Sequence, residues 1–204
     1  MPPLSSDRIV ATARDLADRD GLDAVTLRRL AAELDVHVTS LYNHLATRDA
    51  IVDGIVELLI SEAELPGRPR NWEDWVRGFV AGLGAVAVAH PGAFAALERR
   101  PVQGARAVSS FEVALAEFER AGLSPAEAYS AVKATTYVAL AIGLERALAA
   151  RGETTSTSID LLPADAFPHV HALPAVDDPE EAWAFSVETL VAGLHTQVRR
   201  AKRR

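Results

Sequence analysis

Between Thr26 and Arg48 the chain reads TLRRLAAELDVHVTSLYNHLATR, and no other stretch restricts its own geometry as tightly. Leu27, Leu30, Ala31 and Leu34 recur at helical spacing, so they form one apolar face of a short helix whose first turn is capped by the Thr26 hydroxyl. Arg28, Arg29 and Glu33 fall outside that face. Asp35 tolerates a left-handed backbone and Val36 supplies an apolar anchor, which together make a minimal turn between two crossed helices. A second short helix, ending near Ala46, then turns Leu41 and Leu45 inward with Val36. It leaves His37, Val38, Thr39, Ser40, Tyr42, Asn43 and His44 outward.

That outward set carries almost no formal charge, yet it offers hydroxyl, amide and imidazole groups, a β-branched methyl and a phenol ring. Reading base edges in a major groove requires this mixture. Crossed helices with an apolar turn also occur in proteins that never touch nucleic acid, so geometry alone leaves both readings open. The pattern Thr26-x-Arg28-Arg29-Leu30-Ala31, followed by Leu41-Tyr42-x-His44-Leu45 and Arg48, resembles the signature of the TetR (tetracycline-repressor) family of bacterial transcription regulators. The likeness extends to the preceding helix, to the Asn71-Trp72 helix start and to the long final helices, which resemble the subclass with a tetracycline-repressor-like C-terminal domain.

The resemblance implies a cytoplasmic, homodimeric regulator without enzymatic activity or cofactor. It would bind a palindromic DNA operator, most often as a repressor, and be released by a small-molecule effector. It implies that Thr26, Arg28, Ser40, Tyr42 and Arg48 hold phosphates, with Arg29 beside them, and that His37, Val38, Thr39, Asn43 and His44 face base edges. Tyr42 packing against the first helix, and His44 capping or binding phosphate, are the competing roles. Many members carry glycine where this chain has Asp35, whose carboxylate brings an anion nearer the phosphates.

An Ala- and Leu-rich composition favours an all-α fold, and the absence of cysteine excludes disulfides and thiolate metal sites, as fits a reducing cytoplasm. No signal peptide is read at the start. The longest uncharged apolar runs, Phe79 to Ala89 and Ala134 to Leu144, fall short of the roughly 20 residues of a membrane-spanning helix. The net charge is −7, and up to Leu65 there are six Arg against twelve Asp and Glu. Because Arg28, Arg29 and Arg48 flank the second helix of the motif while the acids lie mostly elsewhere, modest non-specific affinity for DNA is expected.

Around the motif the sequence predicts about nine or ten helices. A first one, Ser6 to Arg19, turns Ile9, Ala13, Leu16 and Ala17 inward, is capped by Ser5 or Ser6 and closes at Gly21. Thr47 caps another that runs to about Glu64, with Ile51, Ile55, Leu58 and Leu59 inward. Leu65 to Arg70, with two prolines and a glycine, reads as a boundary. Residues 1–47 are therefore expected to form one domain, 48–65 a connecting helix and 66–204 a larger helical domain.

Beyond the boundary, Asn71 caps a mostly buried helix with Trp72, Trp75, Val76, Phe79, Val80, Leu83, Val86 and Val88 inward, stopped by Pro91. A short piece, AFAALERR, and a helix from about Gln103 to Ala121 follow. Ser124-Pro125-x-Glu127 opens a helix to Ala150, and Asp178-Pro179-Glu180-Glu181 opens the last one, which ends in a basic run. These two have more apolar face than one domain of this size can cover, so residues near 124–150 and 179–200 are expected to pair with their copies in a four-helix dimer interface. Glu153 to Asp178 reads as a loop with a short helix near Ala164 to His171, either a plain connector or a lid over a ligand entrance.

For catalysis the sequence offers no cysteine–histidine pair, no glycine-rich phosphate loop after a strand and no serine elbow. His37 and His44 are poorly separated for sharing a metal ion, and His169-x-His171 with Asp165 reads as a solvated loop, so no metal is expected. A helical small-molecule-binding protein or enzyme whose front part only mediates interactions is the alternative, and an activator is the other outcome within the same class. The family resemblance implies an effector site in the larger domain, drawing on Trp75, Phe79, Phe94, Phe111 and Tyr137 with Glu112 or Lys133, although residues of each of these types are more often ordinary core than ligand contacts. In the tetracycline repressor a histidine there coordinates a magnesium ion carried with the drug. Aligned on Arg100-Pro101, that position falls at about Ala96, which ligates nothing, so metal–tetracycline recognition does not carry over.

Overall fold

The computed structural model describes residues 3–45, 47–100, 104–153, 162–172 and 179–204, without the side chains of 106 and 107. Among the described residues there are ten α-helices, one 3-10 turn and no strand. The helices are α1 (Ser6–Asp20), α2 (Leu27–Leu34), α3 (Val38–Tyr42), α4 (Arg48–Glu62), α5 (Trp72–Ala89), α6 (Ala96–Arg99), α7 (Ala105–Arg120), α8 (Pro125–Ala150), α9 (Pro168–His171) and α10 (Pro179–Ala201).

Most helix starts follow local chemistry. The hydroxyls of Ser5, Thr26 and Thr47 accept the backbone N–H three residues on, at 3.2, 3.2 and 3.1 Å, and the Asn71 amide oxygen accepts that of Asp74 at 2.8 Å. At α8 a complete capping box forms. Ser124 Oγ accepts the Glu127 N–H, and the Glu127 carboxylate accepts the Ser124 N–H at 2.9 Å. Arg204, three residues past the end of α10, also pairs with that carboxylate, which ties the chain after the last helix to the start of α8. The Ser124 hydroxyl and N–H, with Arg204, lower the Glu127 pKa to about 2. A depressed carboxyl stabilises the fold above its unfolded pKa, and the contribution disappears as pH falls from that value through the folded one. The melting-temperature gap between wild type and Glu127→Gln is therefore expected to be constant above about pH 5 and to close towards about pH 2, as measured by calorimetry.

The α1–α4 part forms a small orthogonal bundle. Ile9, Ala13, Leu16 and Ala17 of α1 meet Leu30, Leu34, Leu41, Ile51 and Ile55, all buried. α1 and α4 cross so closely at Gly54 that a Cβ there would lie 2.5 Å from Val10 Cγ2. Val52, Val56 and Ile60 are buried on the remaining face of α4, against the larger part of the chain, so this helix is shared by both cores. Leu58, expected to point into the core, is only half-buried, because Val56 and Ile60 take the second buried face instead.

In the larger part α5 is the central helix and packs along α8. Trp72 stacks on Phe118 with ring centroids 5.5 Å apart, and Trp75 stacks on Phe79 at 4.8 Å. Close approach is enforced at Gly143, where a Cβ would lie 2.3 Å from Phe94 Cζ. Val88, expected inward, is exposed, since it lies on the side of the last α5 turn turned away from α8. The short helix expected within 164–171 is α9, and the rest of the connector or lid segment, 154–161 and 173–178, lies outside the described residues. The same holds for Gln103, where the helix now seen from Ala105 was expected to begin. No helix among the described residues is long and apolar enough to cross a membrane.

Candidate functional site

The α2–α3 pair is built on its turn. Asp35 takes φ 53° and ψ 49°, and among the described residues it is the one non-glycine with a left-handed backbone. Its N–H donates to Ala32 O at 3.2 Å and that of Val36 to Ala31 O at 3.0 Å, which closes α2 and redirects the chain into α3. α3 is shorter than expected: regular helix stops at Tyr42 rather than near Ala46. One further turn bonds His44 N–H and Leu45 N–H to Leu41 O at 2.9 and 2.8 Å. Asn43 keeps right-handed angles, but the polar run offers no further buried anchor after Leu41 and a half-buried Leu45. Leu41 is the one fully buried side chain of α3.

The outward side chains form a ridge. His37 caps α3, its Nδ1 lying 2.8 Å from Thr39 Oγ1 and 3.4 Å from Thr39 N, so these two residues are held as a unit. Tyr42 is 51 % exposed and does not pack into α1. Asn43 and His44 are exposed, Ser40 is half-exposed, and Val38 is half-buried against the core, with part of its surface left on the ridge. Thr26 accepts the Arg29 N–H with its hydroxyl oxygen, which leaves the hydroxyl proton for an outside acceptor.

The three arginines differ in what they have left to offer. Arg28 is exposed and, among the described residues, carries no ion pair. Arg29 donates to Asp20 at 2.6 Å and lies 3.9 Å from Glu33, whose carboxylate also takes Arg19 at 2.6 Å. Arg48 is turned inward: Nε donates to Val25 O at 2.8 Å and Nη2 to Leu22 O at 3.0 Å, so the guanidinium clamps the 3-10 turn, Leu22–Ala24, that joins α1 to α2. Arg48→Ala is expected to cost about 2 kcal/mol of stability by stripping a charged donor from two carbonyls. Arg28→Ala is expected to leave the melting temperature unchanged in the same calorimetric comparison.

Behind the ridge, the front bundle is fastened to the larger part through α6 and the turn before it. Arg99 donates to Asp23 at 2.6 Å, and Arg100 makes a two-pronged contact with Asp53 at 2.6 and 2.9 Å and reaches Asp49 at 3.2 Å. These hydrogen bonds from arginine hold the Asp53 and Asp23 carboxyls below the usual range. Asp18 of α1 accepts the Gly92 and Ala93 N–H groups at 3.1 and 2.9 Å, and a Cβ on Gly92 would sit 2.1 Å from Ala17 O. None of these pairings was legible in the sequence, because acid–arginine contacts between distant segments have no spacing of their own. Pro91-Gly92 after a helix end was the one local sign of a close approach.

Between α4, α5, α7 and α8 lies a cavity of about 40 Å3, lined by Ile60, Phe79, Leu83, Phe111, Thr136 and Leu140. Of the side chains expected to line a ligand site, Phe79 and Phe111 are here, their rings 5.9 Å apart. Trp75 and Phe94 are core, the former donating to Ser110 Oγ at 3.3 Å. Glu112 is exposed on α7, and Lys133 lies over the Tyr137 ring at 4.7 Å on the outer side of α8, so these three stand away from the cavity. Ala96 is fully buried, and among the described residues no three His, Cys, Asp or Glu side chains converge as metal ligands.

Residues 9–55 match the model of the family described as bacterial regulatory proteins, tetR family. An HTH-type transcriptional regulator of Saccharopolyspora erythraea is 36 % identical over 131 residues, which are 64 % of this chain and 56 % of that protein. The chain thus spans little more than half the length of that relative. The tetracycline repressor protein class A from transposon 1721 of Escherichia coli is 29 % identical over 150 residues, 71 % of this chain and 68 % of the repressor. Among solved structures, the TetR family protein ActR of Streptomyces coelicolor in complex with actinorhodin superposes with a TM-score of 0.81 at 28 % identity, over 97 % of this chain and 99 % of ActR. Motif, helix order and superposition agree: residues 9–55 match the tetR family model, and over nearly its whole length the chain is similar to the TetR family protein ActR.

Proposed function

We propose that this protein is a ligand-responsive, DNA-binding transcription regulator, a repressor that works in the cytoplasm as a homodimer on a palindromic operator and is released by a small-molecule effector. The observation that carries the reading is the ridge of α3. It is uncharged, rich in hydrogen-bonding groups and held proud of the bundle by a single buried leucine and a left-handed turn. In this reading residues 1–47 form the DNA-binding domain, 48–65 the connecting helix, and 66–204 the effector and dimerisation domain. Thr26, Arg28, Ser40 and Tyr42 hold phosphates, and His37, Val38, Thr39, Asn43 and His44 present the base-reading surface. Arg29 and Arg48 shape the motif from behind, given the partners they already have.

The effector we place in the cavity reached by Phe79 and Phe111. At about 40 Å3 it has room for little more than a water molecule, so a ligand must part α5, α7 and α8 to enter. Its lining selects for an apolar, ring-bearing molecule with one polar group able to reach Thr136, and ActR, a relative of similar fold, is known in complex with actinorhodin. Ile60 lines the cavity from α4 while Ile55 and Ile51 of the same helix belong to the front core, so a displaced α4 carries the change to the ridge. A hundredfold loss of operator affinity requires the ligand to prefer the released state by about 2.7 kcal/mol.

The test is fluorescence anisotropy against duplexes tiled across the protein's own promoter region at two salt concentrations. Saturable binding to one palindromic tile is expected, weakened about tenfold by Arg28→Ala or by Tyr42→Ala. Arg28→Ala in both subunits is also expected to reduce the salt slope by about 2, one phosphate per half-site. Unchanged binding in both variants would remove the ridge assignment.

A further inference from the structure

His90 ends α5, and its ring stands between two carboxylates from two other helices. Nδ1 lies 2.7 Å from Asp18 Oδ2 of α1, and Nε2 lies 2.8 Å from Glu62 Oε2 of α4. Neither acid is there for the histidine alone. The other oxygen of Asp18 accepts the Gly92 and Ala93 N–H groups, and the other oxygen of Glu62 accepts Arg14 Nη1 at 2.6 Å. One imidazole thus joins α1, α4 and the α5–α6 turn at the point where the front bundle meets the larger part of the chain.

The protonation chemistry of this arrangement is unequal. A carboxylate only accepts, so both ring nitrogens must donate for both contacts to be hydrogen bonds, and only the imidazolium carries two N–H groups. With Asp18, Glu62, Arg14 and the charged ring the cluster is neutral; with a neutral ring it holds one net negative charge and turns a nitrogen lone pair towards a carboxylate. The other ionisable groups near it are Asp15, which shares Arg14 from the α1 side at 2.8 Å, and Glu64 just beyond α4, both acidic. The α5–α6 turn contributes backbone N–H groups and no charged side chain of its own.

We propose that His90 is a proton-linked positioning residue: its imidazolium braces the α1–α4 bundle against the α5–α6 turn, and losing the proton loosens that brace. The inference concerns how the two parts of the chain are docked and goes beyond the proposed binding of DNA. Mild acidification tightens the junction and alkalinity frees it.

Operator affinity is a poor readout, since the ridge carries two imidazoles of its own, His37 and His44. Hydrogen–deuterium exchange of the peptide containing the Gly92 and Ala93 amides, with rates divided by the intrinsic rate at each pH, reads the brace directly. For the wild-type protein, protection there is expected to fall about tenfold between about pH 5.5 and about pH 8.5, while peptides in the middle of α8 keep theirs. His90→Gln removes the imidazole and is expected to give a flat profile. Glu62→Gln keeps the histidine but supplies an amide N–H that a neutral ring nitrogen can accept, so its profile is expected to be flat as well, which keeps the test valid should His90→Gln fail to fold. A flat wild-type profile, or a wild-type slope that survives in the variants, overturns the proposal.

Discussion

For the homodimer proposed above, Gly193→Arg is expected to give a folded monomer and to lower operator affinity roughly a thousandfold, as the advantage of two linked half-site contacts is lost. Gly193 lies on the outer side of α10, and a Cβ added there meets nothing within 4 Å in the single chain. The side chain is therefore harmless to the fold of one subunit. It matters only if a second copy covers that side. The two helices leave large apolar side chains in solvent: Tyr137 of α8 is 62 % exposed and Phe185 of α10 is 74 % exposed. This is how a helix pair looks when its partner pair is absent. Light scattering after size exclusion, together with anisotropy on the operator tile, gives both readouts. A variant that remains dimeric would show that the interface lies elsewhere.

Leu41→Ala is expected to abolish operator binding without removing any group that touches DNA. The side chain is fully buried and is the single such anchor of a five-residue helix, so its truncation costs about 2–5 kcal/mol, a large share of what a bundle of this size possesses. α3 is too short to persist without tertiary support. The ridge is thus expected to lose its geometry while α5, α8 and α10 melt at an unchanged temperature. Leu41→Met, which keeps the volume, is expected to cost less than about 1.5 kcal/mol and to restore most of the binding. Equal loss in both variants, with the front bundle still folded by NMR, would mean that position 41 acts on DNA rather than through packing.

The features readable in advance were those whose cause is local. Ser5, Thr26, Thr47, Asn71 and Ser124 each cap the helix that follows because a short polar side chain reaches the N–H three residues on. Asp35 was recognisable as the turn for the same reason. The end of α3 was not, since nothing in Asn43 or His44 forbids helix. What stops it is the lack of a second deep anchor. Aromatic type pointed to the larger core but could not separate Phe79 and Phe111, which border the cavity, from Trp75 and Phe94, which fill the space around it. The junction of Asp18, Asp53, His90, Arg99 and Arg100 was invisible, because its members are spread over more than eighty residues and meet only once α1, α4 and α6 are assembled.

The ion pairs of the front bundle bear on how fast a target is found. Arg14, Arg19, Arg29 and Arg48 all spend their charge on Glu62, Glu33, Asp20 and backbone carbonyls, within a stretch where acids outnumber arginines two to one. Such a surface has little hold on an arbitrary duplex. The protein is thus expected to search by short encounters from solution rather than by long one-dimensional sliding. Its association rate should be modest, around 10⁵–10⁷ M⁻¹s⁻¹, and nearly indifferent to the length of flanking DNA. In the function proposed above, few molecules would then be detained on the rest of the chromosome, so a small number of copies would keep one operator occupied and vacate it promptly once the effector arrives.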